Sequence, residues 1–205
     1  MNRLMLTVIL AMSASTSPAA EWRLGGVFGA NLASLEIKGV PDSENKRSTR
    51  GAVGAVLSLR PSHSWSIEVR PGYTGGGAKV VVEGTQATFQ AGYLDVPILV
   101  TRDLTSGSAR PYLLAGFAFS HLSSAKVKLP TGTVDIKNDF EGSDTSFRIG
   151  VGLRASKSAG QPFLEVEYAR GSKNLNSQAS GLGAEVGAIR NRGLQIRIGF
   201  SAGLN

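Results

Sequence analysis

The sequence predicts an all-β chain: an eight-stranded antiparallel up-and-down barrel that spans a membrane. Three observations predict it. Apolar and polar residues alternate with period two through eight segments, the pattern of a sheet whose two faces meet unlike surroundings. Most of these segments reach the roughly nine to eleven residues that a tilted strand needs to cross a bilayer. The connections between them alternate short and long, and membrane barrels sort their loops this way, with short turns at one end and long loops at the other.

The chain opens MNRLMLTVILAMSASTSPAA. Arg3 gives a positive start, Leu4 to Met12 form a short apolar stretch, and Ser17-Pro18-Ala19-Ala20 supplies small residues for cleavage after Ala19 or Ala20. Residues 1–20 therefore read as a secretory signal peptide, and residues 21–205 as the barrel domain. Export without cysteine leaves stability to packing and backbone hydrogen bonds. Arg3 is the only charge in the signal peptide, so its removal lowers the net charge from +7 to +6. For an exported protein, that surplus points to anionic lipid or lipopolysaccharide, not nucleic acid.

The predicted strands are 22–35, 50–60, 64–75, 88–102, 110–122, 145–155, 162–171 and 191–203. In the third, Trp65, Ile67, Val69 and Tyr73 alternate with Ser66, Glu68, Arg70 and Gly72. In the sixth, Phe147, Ile149, Val151 and Leu153 alternate with Arg148, Gly150, Gly152 and Arg154. The last runs from Leu194 to Leu204, with apolar residues at every even position. Short turns follow the second, fourth and sixth strands: Pro61-Ser62-His63, Asp103 to Ala109, and Ser156 to Gln161. Long polar connections cover 36–49, 76–87, 123–144 and 172–190. Trp22, Trp65, Tyr112 and Phe163 begin the odd-numbered strands, as an interfacial girdle would. Gly75-Gly76-Gly77 reads as a turn or loop, and lacks the helix and Lys-Ser/Thr of a phosphate cradle.

With the apolar face toward lipid, the polar face lines the lumen. It carries Arg23, Asn31, Arg60, Glu68, Arg70, Asp95, Arg148, Arg154, Glu165, Glu167 and Arg197. Isolated buried charges are expensive, so these are expected to pair, and the arginine fork can hold a carboxylate through two bonds. Gly25, Gly29, Gly54, Gly72, Gly116, Gly150, Gly152 and Gly199 share this face and leave room. An eight-stranded barrel is just wide enough for side chains to fill, so the expectation is a plugged lumen. The run YLDVPILV at 93–100 fits: Leu94, Val96, Ile98 and Val100 meet lipid, while Tyr93, Asp95 and Pro97 face inward. Arg70 and Arg148 are the candidate partners of Asp95. Pro97 lacks an N–H, so a bulge or a gap in the ladder is expected there.

Three stretches resemble a known family. Leu24 to Leu32 read LGGVFGANL, Tyr93 to Arg102 read YLDVPILVTR, and Arg110 to Phe117 read RPYLLAGF. In this order the chain is similar to the outer-membrane β-barrel-domain ("porin family") proteins of Gram-negative bacteria, of the eight-stranded OmpA/OmpX-like type. The resemblance covers nearly all of 21–205. It implies an eight-stranded barrel in the outer membrane and no shared catalytic residues. Family members end on an aromatic, whereas this chain ends Gly203-Leu204-Asn205, with Phe200 before it.

Three other readings are weighed. His121 and Ser123 stand two apart in Phe119-Ser120-His121-Leu122-Ser123-Ser124, on one face of a strand. A His–Ser pair oriented by a carboxylate performs acyl transfer, and the spacing is similar to the His-x-Ser of outer-membrane lipid A deacylases. Ser124 departs from the Asn those enzymes carry, and the candidate acids Asp135, Asp139 and Glu141 lie in a loop. A narrow solute pore is the second reading. A soluble lipocalin-like barrel is the third, and it would put the apolar face inside. Neither Cys/His clusters for zinc nor EF-hand spacing for calcium occurs, and no cofactor is expected. The sequence thus predicts a monomeric, non-enzymatic outer-membrane barrel. Outer-membrane lipid and lipopolysaccharide are its surroundings. Surface or periplasmic proteins are possible partners, through the loops at 36–49, 123–144 and 172–190, and an envelope or adhesion role follows.

Overall fold

The computed structural model describes residues 20–37, 44–82, 85–137, 142–155, 160–172 and 189–204. The strands are β1 (Glu21–Ile37), β2 (Glu44–Arg60), β3 (Trp65–Val69), β4 (Gly72–Val82), β5 (Thr85–Asp103), β6 (Ala109–Leu129), β7 (Gly132–Asp135), β8 (Ser143–Ala155), β9 (Gln161–Gly171) and β10 (Ile189–Gly203). Each pairs antiparallel with its neighbours. β3 and β4 are two halves of one stave, and β7 is a short return arm on β6. The remaining pairings run in a ring of eight, which β1 closes on β10 from Arg23↔Gly203 to Ile37↔Ile189. The fold is an eight-stranded antiparallel barrel.

Alternation builds this wall because successive side chains leave a strand on opposite faces. Along β5, Leu94, Val96, Ile98 and Val100 are exposed, while Tyr93, Asp95, Pro97 and Leu99 are buried. The pattern inverts that of a soluble protein: large apolar side chains form the outer surface, and most ions are inside. Such an outer band is stable only against lipid.

Pro97 itself pairs regularly with Ala118, so β5 has no bulge there. The gap lies in the neighbouring stave, at Arg70-Pro71. Arg70 N–H donates to the Pro97 carbonyl at 3.0 Å, and Ala55 N–H to the Pro71 carbonyl at 2.9 Å. Neither proline can return the bond, so two ladder bonds are lost where β3 gives way to β4. Two real register shifts lie elsewhere: between Gly92 and Tyr93 of β5 against β6, and between Arg47 and Ala52 of β2 against β4.

The strands are longer than expected at the long-loop end. Gly75-Gly76-Gly77 is not a turn: it runs through β4, paired with Gly92, Ala91 and Gln90. Glycine carries no side chain to show alternation, so the period-two reading stopped there. The connection expected at 76–87 shrinks accordingly. Within 123–144, β6 continues to Leu129, and β7 returns with Asp135 opposite Lys126. Residues 1–19 of the signal peptide and most of the connection at 172–190 lie outside the described residues, as do 38–43 of the first long loop.

The girdle reading needs correction. Trp22 is exposed and Trp65 partly so, but Tyr112 and Phe163 are buried inside. They join Val27, Val56, Leu99 and Leu114 in an apolar layer across the lumen. Parity decides this: Tyr112 shares the face of Leu114 and Ala118, and Phe163 that of Glu165 and Glu167. Their rings lie over two inward glycines, where a Cβ on Gly152 would stand 2.3 Å from Tyr112 and one on Gly199 2.2 Å from Phe163. A second apolar cluster caps the long-loop end, formed by Ala78, Phe89, Ala91, Tyr93, Leu122 and Ala125.

Candidate functional site: an ion-paired lumen

Three levels of ions fill the barrel. At the short-turn end, Arg23 donates to Glu21 at 2.6 Å and to the Ser201 carbonyl at 3.2 Å. Arg60 bonds Asp103 at 3.0 Å and the His63 carbonyl at 2.6 Å. Asp103 also receives Arg154 at 3.3 Å and Arg110 at 3.6 Å.

The middle level centres on Arg70, held beside the break in its own stave. Its guanidinium meets Glu68 at 2.6 Å, Glu167 at 3.1 Å, and Glu165 through both terminal nitrogens. The Tyr112 hydroxyl donates to Glu165 at 2.7 Å. Arg154 stands 4.0 Å over the Tyr112 ring and 3.5 Å from Glu68, a cation–π contact that links this level to the one below.

At the third level, Arg148 pairs with Asp95, which also accepts from Ser120 at 2.8 Å and Thr74 at 3.3 Å. Of the two candidate partners of Asp95, Arg148 is therefore the one in contact, and Arg70 serves the three glutamates. Arg148 and Arg197 reach Glu167 at 3.6 and 3.9 Å, and both donate to Gln195. Asn31 is separate from the ions and donates to the Gly75 carbonyl at 2.8 Å.

Among the described residues, the buried arginines are Arg23, Arg60, Arg70, Arg148, Arg154 and Arg197. The buried acids are Glu68, Asp95, Asp103, Asp144, Glu165 and Glu167. Six cations face six anions, which makes so charged an interior tolerable. Two of these acids escaped the sequence reading. The predicted strand bounds leave Asp103 in a turn and Asp144 in a loop, yet Asp103 shares the odd parity of Asp95 and Asp144 the even parity of Arg148. Extending the alternation by one more strand position at each end would have found them.

Little space remains. Two cavities of about 10 Å³ flank Arg70, one toward Asp95 and Arg197, the other toward Glu68 and Arg154. Each is about the size that admits a single water. A larger one of about 60 Å³ lies nearer the long-loop end, between Asp95, Asp144, Arg148 and Asn191.

The structure places His121 just before a register shift of β6 and Ser123 within it. Gly92 pairs with Ser124 and Tyr93 with Leu122, so Ser123 is the extra residue of a bulge. Its hydroxyl donates to the Gly92 carbonyl at 2.9 Å. His121 is exposed on the outer face, and no hydrogen bond joins it to Ser123 among the described residues. The extra residue reverses alternation beyond it, so the outer face passes from odd positions such as Phe119 and His121 to even ones such as Lys126 and Lys128. Asp135 lies in β7, not a loop, and Asp139 and Glu141 lie outside the described residues.

The sequence matches the family model for the outer membrane protein beta-barrel domain over residues 4–202. No curated protein matches it. Among solved structures it is similar to Neisserial surface protein A, with 12% identity, covering 89% of this chain and 98% of that one at a TM-score of 0.50. It is similar also to OprG from Pseudomonas aeruginosa, with 12% identity, 90% and 96% coverage and a TM-score of 0.48. A third is Ail, the attachment invasion locus protein of Yersinia pestis, with 13% identity, 89% and 99% coverage and a TM-score of 0.46. At such identities the likeness to the Neisserial protein speaks to the fold alone.

Proposed function

The chain belongs to the outer membrane protein beta-barrel domain family and resides in the outer membrane; from that premise we propose that it is a monomeric, non-enzymatic barrel serving the envelope or surface interactions through its long-loop end. One observation carries this reading: the lumen is occupied by its own paired ions and an apolar layer. An interior so filled supports a role without chemistry or solute passage inside the barrel. Function in such a scaffold falls to the parts beyond the wall. Lipopolysaccharide is its lipid partner in this reading, consistent with the basic surplus.

The test is a deletion strain complemented with two forms of the protein: the full chain, and one with residues 173–188 replaced by a short turn. Heat-modifiable gel mobility verifies that both barrels insert. The full chain is expected to restore envelope resistance or surface binding, and the trimmed chain to fail. Full complementation by the trimmed barrel would refute the loop reading. The non-enzymatic part is tested by assaying acyl release from lipopolysaccharide by the wild type and Ser123→Ala. No release by either is expected, and release that Ser123→Ala abolishes would overturn it. Cleavage at residues 19–20 is checked by the intact mass of the membrane-extracted protein, expected to begin at Ala20 or Glu21.

A further inference from the structure

On the outside of the barrel, β2, β4, β5 and β6 enclose a groove of about 530 Å³. Its making is visible in the register. β2 carries one extra residue against β4 between Arg47 and Ala52, and β6 carries Ser123 against β5. Both irregularities flank the same rung, where Gly75 pairs with Gly92 and Gly92 with Ser124. The glycines make room on that rung for the side chains of Arg50 and Tyr73: a Cβ on Gly75 would stand 2.7 Å from the Arg50 Cβ, and one on Gly92 2.0 Å from the Tyr73 hydroxyl.

The groove straddles a change of surface. Below it, Val53 is 61% and Tyr73 42% exposed, in line with the apolar belt. Moving up the outer face, the rung of Tyr73, Leu94 and His121 gives way to Gln90 and Lys126, then to Lys79, Thr88 and Lys128. From Tyr73 to Lys79 is about 20 Å of strand at ~3.3 Å per residue, or about 15 Å of height at a strand tilt of about 40°, which carries the rim from the apolar belt to the level of lipid headgroups. Arg50 and Lys126 line the groove itself. Lys79, Lys126 and Lys128 are exposed, and no carboxylate is within ion-pair distance of them among the described residues. Asp135, the acid across the rung from Lys126, instead caps the Lys137 N–H at 3.0 Å. Arg50 makes no hydrogen bond or ion pair among the described residues, and its Nε is buried.

We propose that this groove binds one phosphorylated, acylated glycolipid of the outer leaflet. An acyl chain lies against Val53 and Tyr73, and a phosphate sits between Arg50 and Lys126, within reach of Lys79 and Lys128. Charge complementarity selects the occupant. Among the described residues the cations have no carboxylate partner, they stand directly above an apolar cleft, and a ligand satisfying both must join phosphate to hydrocarbon. The inference rests on the reading of lipopolysaccharide as lipid partner and gives that contact a place. It does not depend on the loops.

Native mass spectrometry of the full mature chain in detergent tests it. The probes are bisphosphorylated hexa-acyl lipid A, the same lipid with both phosphates removed, and inorganic phosphate. The wild type is expected to hold one lipid A at least tenfold more tightly than its dephosphorylated form, and to hold no inorganic phosphate. Two independent variants follow. Gly51→Phe fills the groove at a position where an added Cβ meets nothing within 4 Å. The double substitution Arg50→Gln, Lys126→Gln removes the charge. Each is expected to weaken lipid A binding about tenfold while heat-modifiable mobility is unchanged; should Gly51→Phe fail to fold, the charge variant decides. Equal binding of the two lipids by the wild type, or wild-type binding by the charge variant, overturns the proposal. A chain trimmed at 173–188 should bind lipid A normally, so failure of the loop reading and failure of the groove give different results.

Discussion

At the scale of single residues, Arg70 has the most to lose. It is the common partner of Glu68, Glu165 and Glu167, and all four side chains are buried. Removing one member of a buried ionic set strands the others, which costs about 3–5 kcal/mol. Arg70→Met should therefore lower unfolding stability in lipid vesicles by that amount, read from urea titrations. Tyr112→Phe is a milder test of the same cluster. It deletes only the hydroxyl that donates to Glu165 at 2.7 Å, and a hydrogen bond to a charged group contributes about 1.5–3 kcal/mol. A loss near zero for both would mean that the ions are satisfied by water, not by one another. The sequence makes part of this network legible. Alternation alone puts Asp95 on the face opposite Leu94, and Arg148 opposite Ile149. It does not say which arginine meets which acid. That depends on the curvature of the ring, which carries β8 across the lumen to Asp95 and turns Arg70 toward β9.

At the scale of elements, the face of a strand position and its depth set the effect of a charge. Ile98 pairs with Phe117 and Val69 near the middle of the apolar band. Arginine on the lipid face costs about 2–4 kcal/mol at the midplane and about 0–1 near the interface. Ile98→Arg is thus expected to destabilise the folded barrel by the larger amount, and His121→Arg, at the edge of the band, by the smaller. The comparison is made by urea titration in vesicles of one lipid composition. Equal losses would place the band at another height. Strand identity was legible wherever apolar side chains alternate, as in β5, β8 and β10. It faded where side chains vanish or repeat. The glycine run of β4 carries no pattern, and the bulge at Ser123 reverses one. Tyr112 and Phe163 show a further limit. An aromatic near a strand end satisfies a girdle and an interior equally well, and only its parity with Leu114 or Glu165 separates the two.

At the scale of the molecule, the barrel is a closed ring whose middle is blocked twice. The ion cluster around Arg70 lies against the apolar layer of Val27, Val56, Leu99, Tyr112, Leu114 and Phe163, and the cavities beside it are about 10 Å³. A single water fits such a space, but a hydrated ion does not. The wild-type barrel in a planar bilayer is therefore expected to show no resolvable ionic current. Arg70→Ala changes both the size and the sign of the constriction. It removes the guanidinium that fills the centre and leaves Glu68, Glu165 and Glu167 without their shared cation. Any leak that opens must pass this acidic ring, so it should favour cations. In a potassium chloride gradient the reversal potential of Arg70→Ala should shift toward the potassium value. A variant pairing that substitution with Glu165→Gln and Glu167→Gln should lose most of the selectivity while retaining the leak. An open wild-type channel, or an anion-selective leak in Arg70→Ala, would mean that the path through the barrel avoids Arg70, and the reading of a lumen closed by its own ions would fall.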